Sequence, residues 1–212
     1  MRSAVLEISK VICPPIFTNC YLAVDAESRK AVAIDPGFTA GEKMPFAAAE
    51  LNAQINFIID THGHWDHTAN NHELRKQTQA KLLIHPLDAP LLAHPQSRRF
   101  AIPWEITPAK PDSFLSDGQK IKLGTTTLEV MHTPGHTPGS ACIYSLEDGL
   151  VFTGDTLFEK AMGRTDFEGG NRGQILQSLR RIASLPPQTR VLPGHGVETT
   201  IGNESKWIAE LE

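Results

Sequence analysis

The stretch Phe57-Ile58-Ile59-Asp60-Thr61-His62-Gly63-His64-Trp65-Asp66-His67 decides how the rest of the chain is read. A short apolar run stops at Asp60, and the residues that follow carry three imidazoles and a carboxylate. In extended backbone, residues two apart point the same way, so His62 and His64 can reach one ion together. Asp66 and His67 then open the following helix and turn towards a neighbouring position. Imidazole nitrogen and carboxylate oxygen are the ligands that suit zinc or iron. Gly63 is expected to let the backbone bend close to the metals.

The same construction recurs down the chain. Leu128-Glu129-Val130 leads into Met131-His132-Thr133-Pro134-Gly135-His136, Leu150-Val151-Phe152-Thr153 into Gly154-Asp155, and Arg190-Val191-Leu192 into Pro193-Gly194-His195. Each apolar run delivers His or Asp into a loop built on Gly or Pro. Strand ends are rigid, and the loops that leave them are where a scaffold places its chemistry. Ligands from four strand ends converge if those ends share one edge of the fold.

Around these motifs the periodicity predicts strands at Ala4–Ile8, Cys20–Val24, Ala31–Ile34, Ile55–Ile59, Lys81–Ile84, Lys120–Leu123, Thr126–Met131, Ala141–Ser145, Leu150–Thr153 and Arg190–Leu192. Helices are predicted at Lys43–Ala53, Asp66–Gln77, Leu87–Ala93, Arg172–Ser184 and Glu204–Leu211. Strands outnumber helices, yet helices occur in both halves, which is the pattern of an α/β fold with covered sheets. The Pro-rich segment Ala93–Asp117 reads as one long loop of the kind that forms lids or binding loops.

The chain has 212 residues, and no linker, low-complexity tract or charge block divides it, so residues 1–212 are expected to form a single domain. A chain of 23.3 kDa buries about 70% of its extended surface, as an upper bound, which suffices for a core without staples. A net charge of −4 argues against a nucleic-acid partner that would need phosphate neutralisation. No apolar stretch approaches the ~18 residues of a membrane span. Cys13, Cys20 and Cys142 form no C-x-x-C pair and read as small core residues in a reducing, cytoplasmic compartment.

Taken in order, THGHWDH, TPGHTPG, GD and PGH resemble the metallo-β-lactamase superfamily over most of the chain, from Asn19-Cys20-Tyr21 and Asp35-Pro36-Gly37 to Pro193-Gly194-His195. The resemblance implies a four-layered αβ/βα sandwich with its metals at one edge of the sheets. It implies two divalent ions, zinc foremost, with iron and manganese also accommodated by these ligands. His62, His64 and His136 would hold one ion; Asp66, His67 and His195 the other; Asp155 would bridge them. Asp66 would also orient a metal-bound hydroxide. Penicillin-cleaving members often use a thiolate near position 155, whereas hydrolases resembling glyoxalase II have aspartate there, and Cys142 lies too far upstream to substitute.

Gly163-Arg164-Thr165-Asp166-Phe167 resembles the glyoxalase II and persulfide dioxygenase branches, in which Arg164 and Asp166 would order a loop flanking the site. Only residues 196–212 follow His195, so the C-terminal helical domain of full-length glyoxalase II is expected to be missing and a short-form, broader thioesterase is implied. Two divalent ions outweigh Asp66, Asp155 and a bridging hydroxide by about one positive charge, which favours an electron-rich carbonyl. A thiolate with a conjugate-acid pKa near ~8.5 departs with little protonation, so a small thioester such as S-lactoylglutathione needs no dedicated general acid. A mononuclear iron dioxygenase using His62, His136 and Asp155, and a lactone or phosphodiester hydrolase on the same site, are the alternatives.

The remaining candidates lie around this set. Asp35 and Asp60 each end a strand near the motifs, where a carboxylate could orient a ligating imidazole, and His85 could hydrogen-bond behind the ligands. His72 and His94 read as surface residues. Arg98-Arg99-Phe100 and Trp104 in the long loop could touch an acyl group or an anionic tail.

Overall fold

The computed structural model describes residues 6–95 and 105–211. Strands β1 (Leu6–Cys13), β2 (Thr18–Asp25), β3 (Lys30–Ile34), β4 (Gln54–Ile59), β5 (Lys81–Ile84) and β6 (Ser113–Phe114) form a six-stranded sheet in that order. Helices α1 (Ala40–Glu50), α2 (Trp65–Thr68), α3 (Asn71–Thr78) and α4 (Ala89–Ala93) belong to the same half. The second half contains β7 (Lys120–Leu123), β8 (Thr126–His132), β9 (Ala141–Ser145), β10 (Leu150–Gly154), β13 (Arg190–Pro193) and β14 (Thr199–Thr200), ordered β14-β13-β10-β9-β8-β7. Strands β11 (Leu157–Phe158) and β12 (Ala161–Met162) make a separate small ribbon, and helices α5 (Arg172–Ala183) and α6 (Ile201–Ala209) complete this half.

Alternation along the strands builds the layers. Tyr21 and Ala23 of β2 and Val32 and Ile34 of β3 pack inward against Val130, Ile143, Phe152 and Leu192 of the second sheet. Their neighbours Cys20, Leu22, Val24, Ala31 and Ala33 face outward onto Met44 and Ala48 of α1 and Leu74 of α3. Small residues at this outer face let the helix approach the sheet closely. On the far side, Cys142, Val151 and Val191 meet Leu176, Leu179 and Ile182 of α5 and Ile201 and Ile208 of α6. The order helix, sheet, sheet, helix is the four-layered αβ/βα sandwich that the resemblance implied.

Strand direction then places the chemistry. β3 and β4 run parallel, so Asp35 and the His62 loop leave the first sheet on one edge. β9 is antiparallel to both β8 and β10, and β13 is parallel to β10, so β8, β10 and β13 end together. The two edges meet: Ala141 N–H donates to the Thr61 carbonyl at 2.8 Å, and Asn19 N–H to the Gly194 carbonyl at 2.7 Å.

Several boundaries differ from expectation. The continuous helix read over Asp66–Gln77 is two helices, because the chain turns at Asn70 to tie α1 down: its N–H donates to the Pro36 carbonyl at 2.9 Å and its Oδ1 accepts from Gly41 N–H at 2.9 Å. The first strand runs on to Cys13, because its whole length pairs with β2. β6, β11, β12 and β14 are two residues each, too short to show any period. Part of the loop read over Ala93–Asp117 is pinned to the edge of β5, with Asp112 and Leu115 N–H donating to Leu82 and Ile84 carbonyls.

Candidate metal centre

Asp35 organises the floor of the site. Its Oδ2 accepts from His67 Nδ1–H at 3.0 Å and from the Thr61 hydroxyl at 2.7 Å, while Oδ1 accepts from Thr61 N–H at 2.7 Å. The Thr61 hydroxyl proton is thus spent on Asp35, so its oxygen accepts from His62 Nδ1–H at 3.1 Å. With Nδ1 held in this way, each imidazole turns Nε2 into the site as the atom a metal would take. His136 is oriented in the same way by donating Nδ1–H to the Arg164 carbonyl at 2.8 Å.

The free ring nitrogens converge. His136 Nε2 stands 2.8 Å from His64 Nδ1, and His62, His64 and His136 form one group whose ligand atoms lie within 4.8 Å of one another. Asp66, His67 and His195 form a second such group. Within it, Asp66 Oδ2 is 3.2 Å from both His67 Nε2 and His195 Nε2. Asp155 lies between the groups, with Oδ1 3.3 Å from His67 Nε2 and Oδ2 3.5 Å from His136 Nε2.

Charges and orphan atoms show what this arrangement could hold. His62 is 1% exposed, and its Nε2 has no hydrogen-bond partner; nor has the buried Asp155 Oδ1. Burial and the His67 charge hold His62 well below the usual imidazole pKa, and burial with His136 pushes His64 down to about 4. Burial opposes charging His67, yet Asp66, Asp155 and Asp35 raise its pKa well above the usual value. Carboxylates that draw positive charge onto His67, beside the neutral imidazoles of His62 and His64, make the cluster a place suited to cations. The donor set of imidazole nitrogen and carboxylate oxygen fits divalent ions.

The site opens into a cavity of about 400 Å³ lined by Pro15, Ile16, Trp65, Phe167 and Arg164 above the imidazoles and carboxylates. Arg164 and Asp166 pair with each other at 2.6 Å, and the Arg164 guanidinium lies 3.9 Å above the Phe167 ring. Phe167 in turn meets His64 edge-on at 5.6 Å. Gly194 permits the close packing beneath: a Cβ there would stand 2.4 Å from Asp155 Oδ1 and 2.6 Å from His67 Cε1. Gly63 has a packing reason as well. A Cβ on it would meet Leu91 Cδ1 at 2.7 Å and the Asp88 carbonyl oxygen at 2.9 Å, so the close approach of α4 requires the glycine.

The chain belongs to the metallo-beta-lactamase superfamily. The superfamily's sequence profile matches residues 13–195. Hydroxyacylglutathione hydrolase GloC of Haemophilus influenzae is 34% identical over 89% of this chain and 90% of its own length. The crystal structure of BLEG-1 B3 metallo-beta-lactamase superposes with a TM-score of 0.88 at 34% identity, covering 94% of this chain and 97% of that one. TTHA1623 in a di-iron-bound form gives 0.84 at 34% identity, over 93% and 97% of the two chains. The protein is therefore a hydrolase of this superfamily with histidine and aspartate groups suited to divalent metals.

Two expected contributors stand apart. The Asp60 carboxylate is taken by the Asn71 side-chain amide at the start of α3, 2.7 Å away, rather than by a ligating imidazole. His85 stacks flat on His132, ring centroids 4.1 Å apart, and its Nδ1 accepts from Leu87 N–H at 3.4 Å. His132 Nε2–H donates to the Pro138 carbonyl at 2.9 Å. Arg98, Arg99, Phe100 and Trp104 lie outside the described residues. Cys13, Cys20 and Cys142 are free, buried thiols, as read. Sequence reasoning missed the bracing parts played by Asp88, Thr18 and Asn19, whose partners lie far along the chain. Among the described residues no helix is long and apolar enough to cross a membrane.

Proposed function

We propose that the protein hydrolyses small thioesters, with S-lactoylglutathione as the first substrate to assay. The observation that carries this reading is the bridging position of Asp155, a carboxylate within 3.5 Å of imidazole nitrogens from both groups, at the floor of an open cavity. The 34% identity to hydroxyacylglutathione hydrolase GloC supports it. His62, His64 and His136 would hold one divalent ion, Asp66, His67 and His195 a second, with zinc first in expectation. Bound there, such ions would polarise a carbonyl and acidify water towards a pKa of ~7.

The chain's own groups do the rest. Asp35 keeps His62 and His67 in the metal-accepting tautomer, and the Thr18 hydroxyl donates to Asp66 Oδ2 at 3.0 Å, fixing that carboxylate. Pro15, Ile16, Trp65 and Phe167 give the acyl group an apolar wall. A thiolate leaves without help from a general acid. The partner in this reading is a small molecule, not nucleic acid or a membrane, and the setting is a reducing cytoplasm in which the three cysteines stay thiols.

The test is thiol release from S-lactoylglutathione by metal-loaded protein, beside Asp66→Asn and with a β-lactam assayed in parallel, since BLEG-1 is as similar as GloC. Rapid release that collapses in the variant is expected. No release, or lactam cleavage alone, overturns thioester hydrolysis. The dioxygenase alternative needs only His62, His136 and Asp155, and would show as oxygen uptake with glutathione persulfide that survives Asp66→Asn.

A further inference from the structure

Asp88 begins α4, contributes no ligand and is 0% exposed. Three donors close on its carboxylate. Gly63 N–H donates to Oδ2 at 2.8 Å, the Thr137 hydroxyl to Oδ2 at 2.6 Å, and Gly139 N–H to Oδ1 at 2.7 Å. Gly63 separates His62 from His64, Thr137 follows His136, and Gly139 is two residues further on. One carboxylate therefore grips the backbone beside all three imidazoles of one group, across loops that leave different sheets. The fit is tight: a Cβ on Gly139 would stand 2.6 Å from Asp88 Cγ.

The second group has other supports. Thr18 donates to Asp66 at 3.0 Å, Asp35 accepts from His67 at 3.0 Å, and Asn19 Nδ2 donates to the Pro193 and Gly196 carbonyls on either side of His195, each at 2.9 Å. None of these bonds involves Asp88. We propose that Asp88 is the positioning residue for the His62–His64–His136 half of the centre alone, so that the two metal positions can be weakened separately. The inference rests on the metal-centre reading and is independent of the substrate.

Both carboxylate oxygens of Asp88 face donors. In Asp88→Asn an amide NH₂ must face Gly139 N–H or the Gly63–Thr137 pair, and one loop is pushed away. Groups that orient metal ligands contribute about 10–100-fold to affinity. Stripped wild type and variant would be titrated with zinc against a chromophoric chelator, and anomalous diffraction from the loaded crystals would assign each ion to its group. The expected result is affinity about 10–100-fold weaker at the His62–His64–His136 position with the other unchanged. Thr137→Val, which removes one donor and keeps the shape, should give the same selective loss to a smaller degree and decides the matter if Asp88→Asn does not fold. Equal loss at both positions, or no loss at either, overturns the proposal. Failure of the wild type to take up zinc would instead overturn the metal-centre reading beneath it.

Discussion

Asn19 and Pro193 belong to different sheets, yet Nδ2 of Asn19 lies 2.9 Å from the Pro193 carbonyl oxygen and 2.9 Å from that of Gly196. A single side-chain amide thus holds the loop of His195 from both sides. Asn19→Ala would take the side-chain donor from the Gly196 carbonyl and leave the Pro193 carbonyl with the Tyr21 hydroxyl, 2.9 Å away. A loss of about 1–3 kcal/mol in stability is expected, with zinc held about 10–100-fold more weakly at the Asp66–His67–His195 position. Denaturant unfolding and chelator competition check the two figures; unchanged zinc affinity would show that Asn19 only joins the sheets.

Gly194→Ala addresses packing beneath the reacting groups. The added Cβ would collide with Asp155 Oδ1 and His67 Cε1, at 2.4 and 2.6 Å. Displacements of about 1 Å at a reacting centre lower rates by about 100-fold. Thiol release by the variant should fall to that extent at saturating substrate. A variant that kept its kcat would mean that Asp155 can move without consequence.

Metal removal should lower stability as well as activity. His62 Nε2 and Asp155 Oδ1 are buried without a hydrogen bond, and both ligand groups form fully only in the folded chain. With free zinc at about 1,000 times its Kd, linkage adds about 4 kcal/mol per site. Denaturant midpoints with zinc and with a chelator measure this difference. Coincident midpoints would argue against a preformed cation site.

His85 gives a pH dependence of known sign. Burial and the neighbouring His132 push its pKa from the ordinary 6.5 down to about 4, against the opposing pull of Asp117. Between those values the unfolded chain binds a proton that folded His85 does not. Its contribution is therefore present above pH 6.5 and is lost as pH falls towards about 4. His85→Phe keeps the stack on His132 and abolishes this loss. In metal-free protein the stability difference between wild type and variant should shift by about 1 kcal/mol, after solvent screening, between about pH 7 and about pH 4.5. Parallel pH profiles would sink the assignment.

The sequence by itself determined the layers and the ligand types. Alternating apolar residues in β2 and β3, and the apolar stripe of Ile175, Leu176, Leu179 and Ile182 on α5, dictate which faces are buried. Four apolar runs ending in His or Asp announced a metal-binding edge before any strand was paired. These signals are local, because periodicity and strand-end motifs depend only on near neighbours in the chain.

Tertiary structure decided how those side chains are held. Asp60 and Asp35 look alike in sequence, each ending an apolar strand, but only Asp35 meets an imidazole, because Asn71 reaches Asp60 first. Gly63 answers to Leu91 and Asp88, and the break at Asn70 answers to Pro36 and Gly41. The bracing roles of Asp88, Thr18 and Asn19 show in no local pattern because their partners lie far away along the chain. A hydrogen bond between distant segments exists only once two sheets have packed, and no pattern within one segment encodes it.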